Sequence, residues 1–250
     1  MSPDAAHYFW FGARLLALTG LTLLVARLAR VGIGWFPFWA ITRAVVQLTV
    51  IALLLRGILS VPWTVAGFIL LMLATASATA AGRLSELWHG RRTALLGVLA
   101  GALSTLVVIF GLRMVAFEVR YLVAVGGIVI GNSMSAATLA GRNFLRGARS
   151  RRSEVEAWLS LGATSAQAHQ EIGREAVRES LLPTLDQTKS TGLVTLPGAF
   201  VGALFGGASP AVAAQFQLVV LAGIALTMTV TGIVVTRLAG RSPYVGVVTS

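Results

Sequence analysis

Apolar residues run along this chain in long unbroken stretches, without the alternation of a half-buried strand or the single apolar stripe of a surface helix. Ile69 to Ala81 and Leu95 to Phe110 carry small or apolar side chains on every face. Barrel strands would alternate with a period of two, so the pattern predicts α-helices. A bilayer core of about 30 Å needs about 20 such residues per helix. Stretches of this kind fall at 8–27, 38–59, 62–82, 93–113, 121–141, 191–208 and 214–236, which predicts an all-α, polytopic membrane protein with seven spans. The sixth is the weakest. It is short and holds Pro197 and five glycines, so it is either a complete span or a broken, re-entrant one whose freed backbone groups are covered by protein or water.

Arginines punctuate the spans on alternate sides. Arg27 and Arg30 follow the first, Arg83, Arg91 and Arg92 the third, five arginines between Arg142 and Arg152 the fifth, and Arg237 and Arg241 the seventh. The other side carries only Arg56 and the Arg113/Arg120 pair with Glu118. Positive loops stay in the cytoplasm, so the expected orientation in an inner (plasma) membrane is N-terminus outside and C-terminus cytoplasmic.

Between the fifth and sixth spans lies the only long polar stretch, Arg142 to Lys189, and it reads helix, break, helix. Arg142, Arg146 and Arg149 recur at helical spacing, and Arg152 with Glu156 makes an i,i+4 pair. Gly162 suits the left-handed residue just past a helix end, and Thr164 with Gln167 forms a capping box for the next helix. That second helix is expected to run toward Pro183, with Glu171, Glu175 and Glu179 alternating with Arg174 and Arg178 on a solvated face.

Composition agrees: of 250 residues, 56% are hydrophobic and 12% charged, and the mean hydropathy is +0.81, which excludes a water-soluble domain. The net charge of +11 sits beside the apolar runs, where it marks topology; no nucleic-acid partner is expected. With no cysteine there are no disulfides and no thiolate ligands. Glu86 and His89, three apart in a predicted turn, read as solvated side chains and not as a metal pair, and no metal site is expected. The single lysine, Lys189, is in no phosphate-cradling loop, and no catalytic motif occurs within the spans. The chain therefore reads as a single transmembrane domain over 1–250, not an enzyme, with no cofactor of its own.

Glu156-Ala157-Trp158-Leu159-Ser160-Leu161-Gly162 followed by Ile172 resembles the EAA loop of ABC-transporter membrane subunits, with tryptophan where alanine is usual. Together with Leu182-Pro183-Thr184-Leu185-Asp186-Gln187-Thr188-Lys189, Gly192-Leu193-Val194-Thr195-Leu196-Pro197-Gly198, Gly207-Ala208-Ser209-Pro210, Gln215, Arg43, Gln47 and Gly131-Asn132-Ser133-Met134, it is similar to the FetB family of permeases over most of the chain. That resemblance implies a homodimeric permease, an exporter, docked on a separate ATP-binding subunit that holds ATP and magnesium. The family is linked to bacterial iron export and plant aluminium tolerance, which leaves a metal and an organic solute both open.

On this reading Glu156, Ala157, Leu161, Gly162, Ala163 and Thr164 form the ATPase-coupling bend. Arg43, Gln47, Asn132, Asp186, Lys189, Pro197 and Gly198 are assigned to the gate or solute path. Asn132 either locks two helices together or lines the path, because a buried amide in hydrocarbon needs a partner. Arg43 either has a partner or snorkels to the membrane edge. Asp186 can pair with Lys189 or with Arg43. The small-residue faces Gly127/Gly131/Ser135 and Gly198/Gly202/Gly206 serve packing within the subunit or contact in the dimer. Two rival functions remain: an ATP-independent channel or secondary transporter, which would need intramembrane acidic residues that no span supplies, and a non-transporting scaffold.

Overall fold

The computed structural model describes residues 3–58 and 62–242, and every regular element among them is an α-helix. In chain order these are α1 (Pro3–Leu28), α2 (Phe36–Ile58), α3 (Pro62–Arg83), α4 (Gly90–Gly111), α5 (Val119–Ser150), α6 (Arg152–Ser160), α7 (Ser165–Ala168), α8 (Gln170–Lys189), α9 (Gly198–Phe205) and α10 (Pro210–Ala239). Six of them, α1 to α5 and α10, are long and apolar enough to cross a bilayer. This is a polytopic membrane protein.

The described residues form two compact units, divided between residue 61 and Pro62. In the first, α1 and α2 pack through a short turn in which Arg30, Gly32 and Gly34 take positive φ. The Arg27 guanidinium lies over the Trp35 ring, 5.1 Å from its centroid, a cation–π contact at the helix end. Arg43 and Gln47 stand one turn apart on α2, both exposed. The expected end of the second span, residue 59, lies outside the described residues.

In the second unit, α3, α4, α5 and α10 form a bundle, and α8 packs on α5 and α10. Its core is built from small side chains, Val98, Ala102, Val129, Ala137 and Val235 among them. Backbones approach most closely between α4 and α10: a Cβ at Gly97 would sit 2.5 Å from a Val235 methyl, and one at Gly101 would overlap the Thr231 hydroxyl. Hydrocarbon gives no hydrophobic drive between helices, so such close van der Waals contact supplies it instead. Leu70, Val107 and Leu218 remain exposed on the bundle, the surface a helix turns toward lipid.

The sixth expected span takes its broken form. Residues 191–197 are irregular, closed by a Thr191–Thr195 bridge with Gly192 at φ 93°, and α9 has only 8 residues. At about 1.5 Å per residue that is about 12 Å, less than half a bilayer core. Gly207 at φ 87° then turns the chain into α10.

Pro183 does not end the second elbow helix; α8 continues through it to Lys189. Proline removes one hydrogen bond but its φ suits a helix. The face Ile172, Gly173, Ala176, Val177 and Ser180 already buries α8 against α5 and α10, which holds its direction.

Candidate functional site

Two features of the second unit stand out, an exposed elbow and a polar cavity, and α10 contributes to both.

The elbow begins where α6 ends. Gly162, at φ 87°, donates its N–H to Leu159 O at 3.0 Å, and Ala163 donates to Trp158 O at 3.1 Å. These are the paired bonds of a Schellman ending, which only a residue tolerant of the left-handed region completes without strain. Thr164 then caps α7: its Oγ1 accepts from Gln167 N at 3.4 Å, and Gln167 Oε1 accepts from Thr164 N at 2.8 Å. With both orphaned helix ends satisfied locally, the bend is stiff, and Leu161 at its apex is 81% exposed. Beside it a groove of about 660 Å³ runs between Trp158, Gly162 and Ala163 on one side and Gln170, Glu171 and Arg174 on the other.

Charges brace the elbow. Glu156 accepts from Arg152 Nε at 2.8 Å, the expected i,i+4 pair, and Ala157 lies exposed one residue on. Arg151 donates to Glu154 at 2.7 Å and to Glu175 at 3.0 Å, tying α6 to α8. The Arg151 hydrogen bond holds the Glu154 carboxyl below its ordinary range, and the same bond raises Arg151. Glu86 accepts from Arg149 of α5. Among the described residues no three histidine, aspartate or glutamate side chains converge where they could hold a metal ion.

The elbow is also fastened from behind. Ser165 Oγ donates to Gly240 O at 3.0 Å, at the end of α10, and His169, 5% exposed, sets Nδ1 2.9 Å from Ser165 O with its ring on Phe144.

The cavity, about 220 Å³, lies between α5, α8, α9 and α10 and is lined by Asn132, Gln187, Thr188, Thr191, Gly198 and Gln217 among others. Three assigned residues meet here: Asn132 from α5, Pro197 as the N-cap of α9, and Gly198 as its first residue. Asn132 Nδ2 donates to Ile128 O at 2.8 Å within its own helix, so it lines the cavity and does not bridge to a second helix. Asp186 and Lys189 flank Gln187 and Thr188 on α8; they pair at 3.1 Å, with side chains 66% and 78% exposed, and do not line the cavity.

Gln217 was not singled out from sequence, yet it organises this end. It is 5% exposed, and its Oε1 accepts from Phe200 N at 3.1 Å, satisfying one orphan donor at the start of α9. A polar amide inside an otherwise apolar helix is the signal that pointed to Asn132, and it applies equally to Gln217.

The model of the uncharacterised protein family UPF0014 matches residues 12–244. The chain belongs to this family. Among its UPF0014 relatives, the rice membrane protein STAR2 is 32% identical over 233 residues, 92% of this chain and 81% of that protein. "Protein ALUMINUM SENSITIVE 3" of Arabidopsis thaliana is 33% identical over 207 residues, covering 82% of this chain and 76% of its own. The protein named "Probable iron export permease protein FetB" from Escherichia coli K12 is 28% identical over 236 residues, 93% of this chain and 90% of its own. No solved structure matches the chain significantly.

Proposed function

We propose that this UPF0014 chain is the membrane-spanning permease subunit of an ABC exporter, working as a homodimer with a separate cytoplasmic ATPase that holds ATP and magnesium. In this reading the N-terminus is outside, the C-terminus and elbow are cytoplasmic, and the membrane is the inner (plasma) membrane. The chain itself binds no cofactor and catalyses no reaction.

The observation that carries the reading is Leu161. A leucine left 81% exposed at the apex of a stiff, arginine-rich elbow forgoes about 1.5–3 kcal/mol of burial, which a docking partner recovers. The Schellman ending and capping box support the same role, because a motor's displacement is transmitted by a bend that keeps its shape. Glu156 and Ala157 flank the docking surface. The cavity at Asn132, Pro197 and Gly198 is the proposed solute site, with Asp186 and Lys189 at its entrance and Arg43 and Gln47 on the solute path.

The E. coli relative's name supports iron as the solute; another metal, or an organic solute, fits the same reading. The test is reconstitution of the chain in proteoliposomes with and without its ATP-binding subunit. Solute is expected to move only when both the ATPase and ATP are present, and movement without them would overturn the proposal.

A further inference from the structure

A second groove, of about 650 Å³, opens between α8 and the last turns of α10. It shares Gln167, Gln170 and Arg174 with the elbow groove, but its other wall is α10.

The two walls are layered alike. A Cβ on Gly173 would lie 3.4 Å from Thr236, and one on Gly232 would lie 3.3 Å from Val177, so α8 and α10 run antiparallel with these residues level. Arg174 on α8 therefore stands level with Arg237 on α10, and Val177 with Ile233. One turn farther out, Gln170 and Arg241 line the mouth. From the bundle outward the groove passes from aliphatic side chains to arginines.

This gradient has a fixed place in the bilayer. Arg237 is the first charged residue of the spanning helix α10, so the hydrocarbon core ends before it and headgroups begin at its level. Ile233, one turn earlier, faces the edge of the hydrocarbon.

The groove's charge is left over. Elbow arginines Arg149, Arg151 and Arg152 each meet a carboxylate. No acidic side chain lines this groove, and among the described residues neither Arg237 nor Arg241 makes an ion pair. Arg174 reaches Glu171, which lines the elbow groove, at 3.4 Å. The negative end of α10 lies beside the positive start of α8, so the helix dipoles offset each other and the side chains set the sign.

We infer that this groove holds an anionic phospholipid, its headgroup phosphate against Arg237 and Arg241 with Arg174 as a third arm, and the start of an acyl chain along Val177 and Ile233. Guanidinium groups grip phosphate oxygens through paired donors, and basic recesses between membrane helices at the leaflet edge suit such headgroups. A soluble phosphate or an acidic protein segment would meet the arginines but not the aliphatic end, which lies at hydrocarbon depth. The site requires only that α10 crosses the bilayer; it depends on neither the solute nor the ATPase.

The full chain, without any ATPase, would be equilibrated in neutral detergent with equal amounts of phosphatidylglycerol and phosphatidylcholine, and the lipids it retains identified by native mass spectrometry. The wild type is expected to retain phosphatidylglycerol in preference. Arg237→Gln/Arg241→Gln should lower that preference at least about tenfold, while Arg237→Lys/Arg241→Lys, which keeps both charges, preserves it. Arg146→Gln removes an exposed arginine of α5 that does not line the groove, and should leave the preference intact. All variants alter exposed side chains, and their melting temperatures show that the fold is kept. Equal retention of both lipids by the wild type, or undiminished preference in the glutamine variant, overturns the inference. Displacement of the lipid by millimolar inorganic phosphate would assign the arginines to a soluble anion and also overturn it. So would loss of ATPase retention by the glutamine variant with its lipid preference unchanged, which would make the groove part of the docking surface. Because lipid retention is read without the ATPase, its failure leaves the permease reading standing.

Discussion

Ser165 Oγ donates to Gly240 O at 3.0 Å, so the first residue of the second elbow helix is held to the last turn of α10 across 75 positions of sequence. The same hydroxyl lies against Ser242 O, and His169, between α7 and α8, sets its Nδ1 against the Ser165 carbonyl oxygen. From this fastening the thirty residues of α10 run back from Ala239 to Pro210, and near that opposite end Gln217 accepts from Phe200 N beside the cavity. A displacement at Leu161 therefore has two routes toward the cavity, along α8 and along α10. Ser165→Ala removes the α10 fastening and leaves helix-end carbonyls without that donor. The expected cost is about 1 kcal/mol, read as a lowered melting temperature in detergent, with faster hydrogen exchange confined to residues 236–242 and 164–170.

At Gly162 the left-handed φ of 87° is the constraint, since a Cβ there meets open space. Gly162→Val is expected to strain the bend by about 1–2 kcal/mol and to break the Schellman pair. Gly162→Asn, which tolerates that region, keeps most of it. The valine chain should purify folded yet fail to retain the ATPase on an affinity column, while the asparagine chain retains it. Full solute-stimulated ATP hydrolysis by the valine complex would remove the elbow from the coupling role.

The Arg151–Glu154 pair gives the elbow a pH dependence of definite sign. Its hydrogen bond lowers the Glu154 carboxyl in the fold, so the stabilisation is complete above the ordinary carboxylate value and is lost as pH falls through the depressed folded value. Glu154→Gln should therefore melt below the wild type at neutral pH and match it in strong acid. A constant difference at every pH would mean that packing, not charge, explains the effect.

Asp186 and Lys189 make an exposed pair, which by itself contributes less than about 1 kcal/mol to stability. Asp186→Asn and Lys189→Met are thus expected to leave the melting temperature nearly unchanged. If the pair works as a gate, both variants still hydrolyse ATP in proteoliposomes but move solute poorly, and exchanging the two charges restores part of the transport. Wild-type transport in both single variants would place the gate elsewhere.

Orientation has a direct test in a chain without cysteine. Ala166 is exposed on α7, and Ala166→Cys should react with an impermeant maleimide only in inside-out vesicles. Labelling from outside intact cells would reverse the topology.

Much of this protein was determined by local sequence, because lipid and backbone impose their requirements within a few residues. Twenty-residue apolar stretches could only be helices, and the Gly162, Thr164 and Gln167 spacing fixed a left-handed ending followed by a capping box, both of which close within one turn. The glycines and proline between 191 and 208 marked the span that is broken.

Tertiary packing decided what local sequence left open. Of the small-residue faces, Gly127 packs against Met72 while Gly131 meets nothing nearby, and Gly198 and Gly202 meet nothing while Gly206 meets only carbonyls of its own last turn, whereas Gly97 and Gly101 carry the tight approach to α10, a choice that depends on which helices become neighbours. Pro183 stayed inside α8 because its preceding face was already buried on α5 and α10. The cavity is likewise a product of the fold: Asn132, Gly198 and Gln217 come from three helices, and only their convergence shows which hydrogen-bonding groups are spent and which still face inward. Sequence names the amides; packing decides whether each is left as a donor or an acceptor.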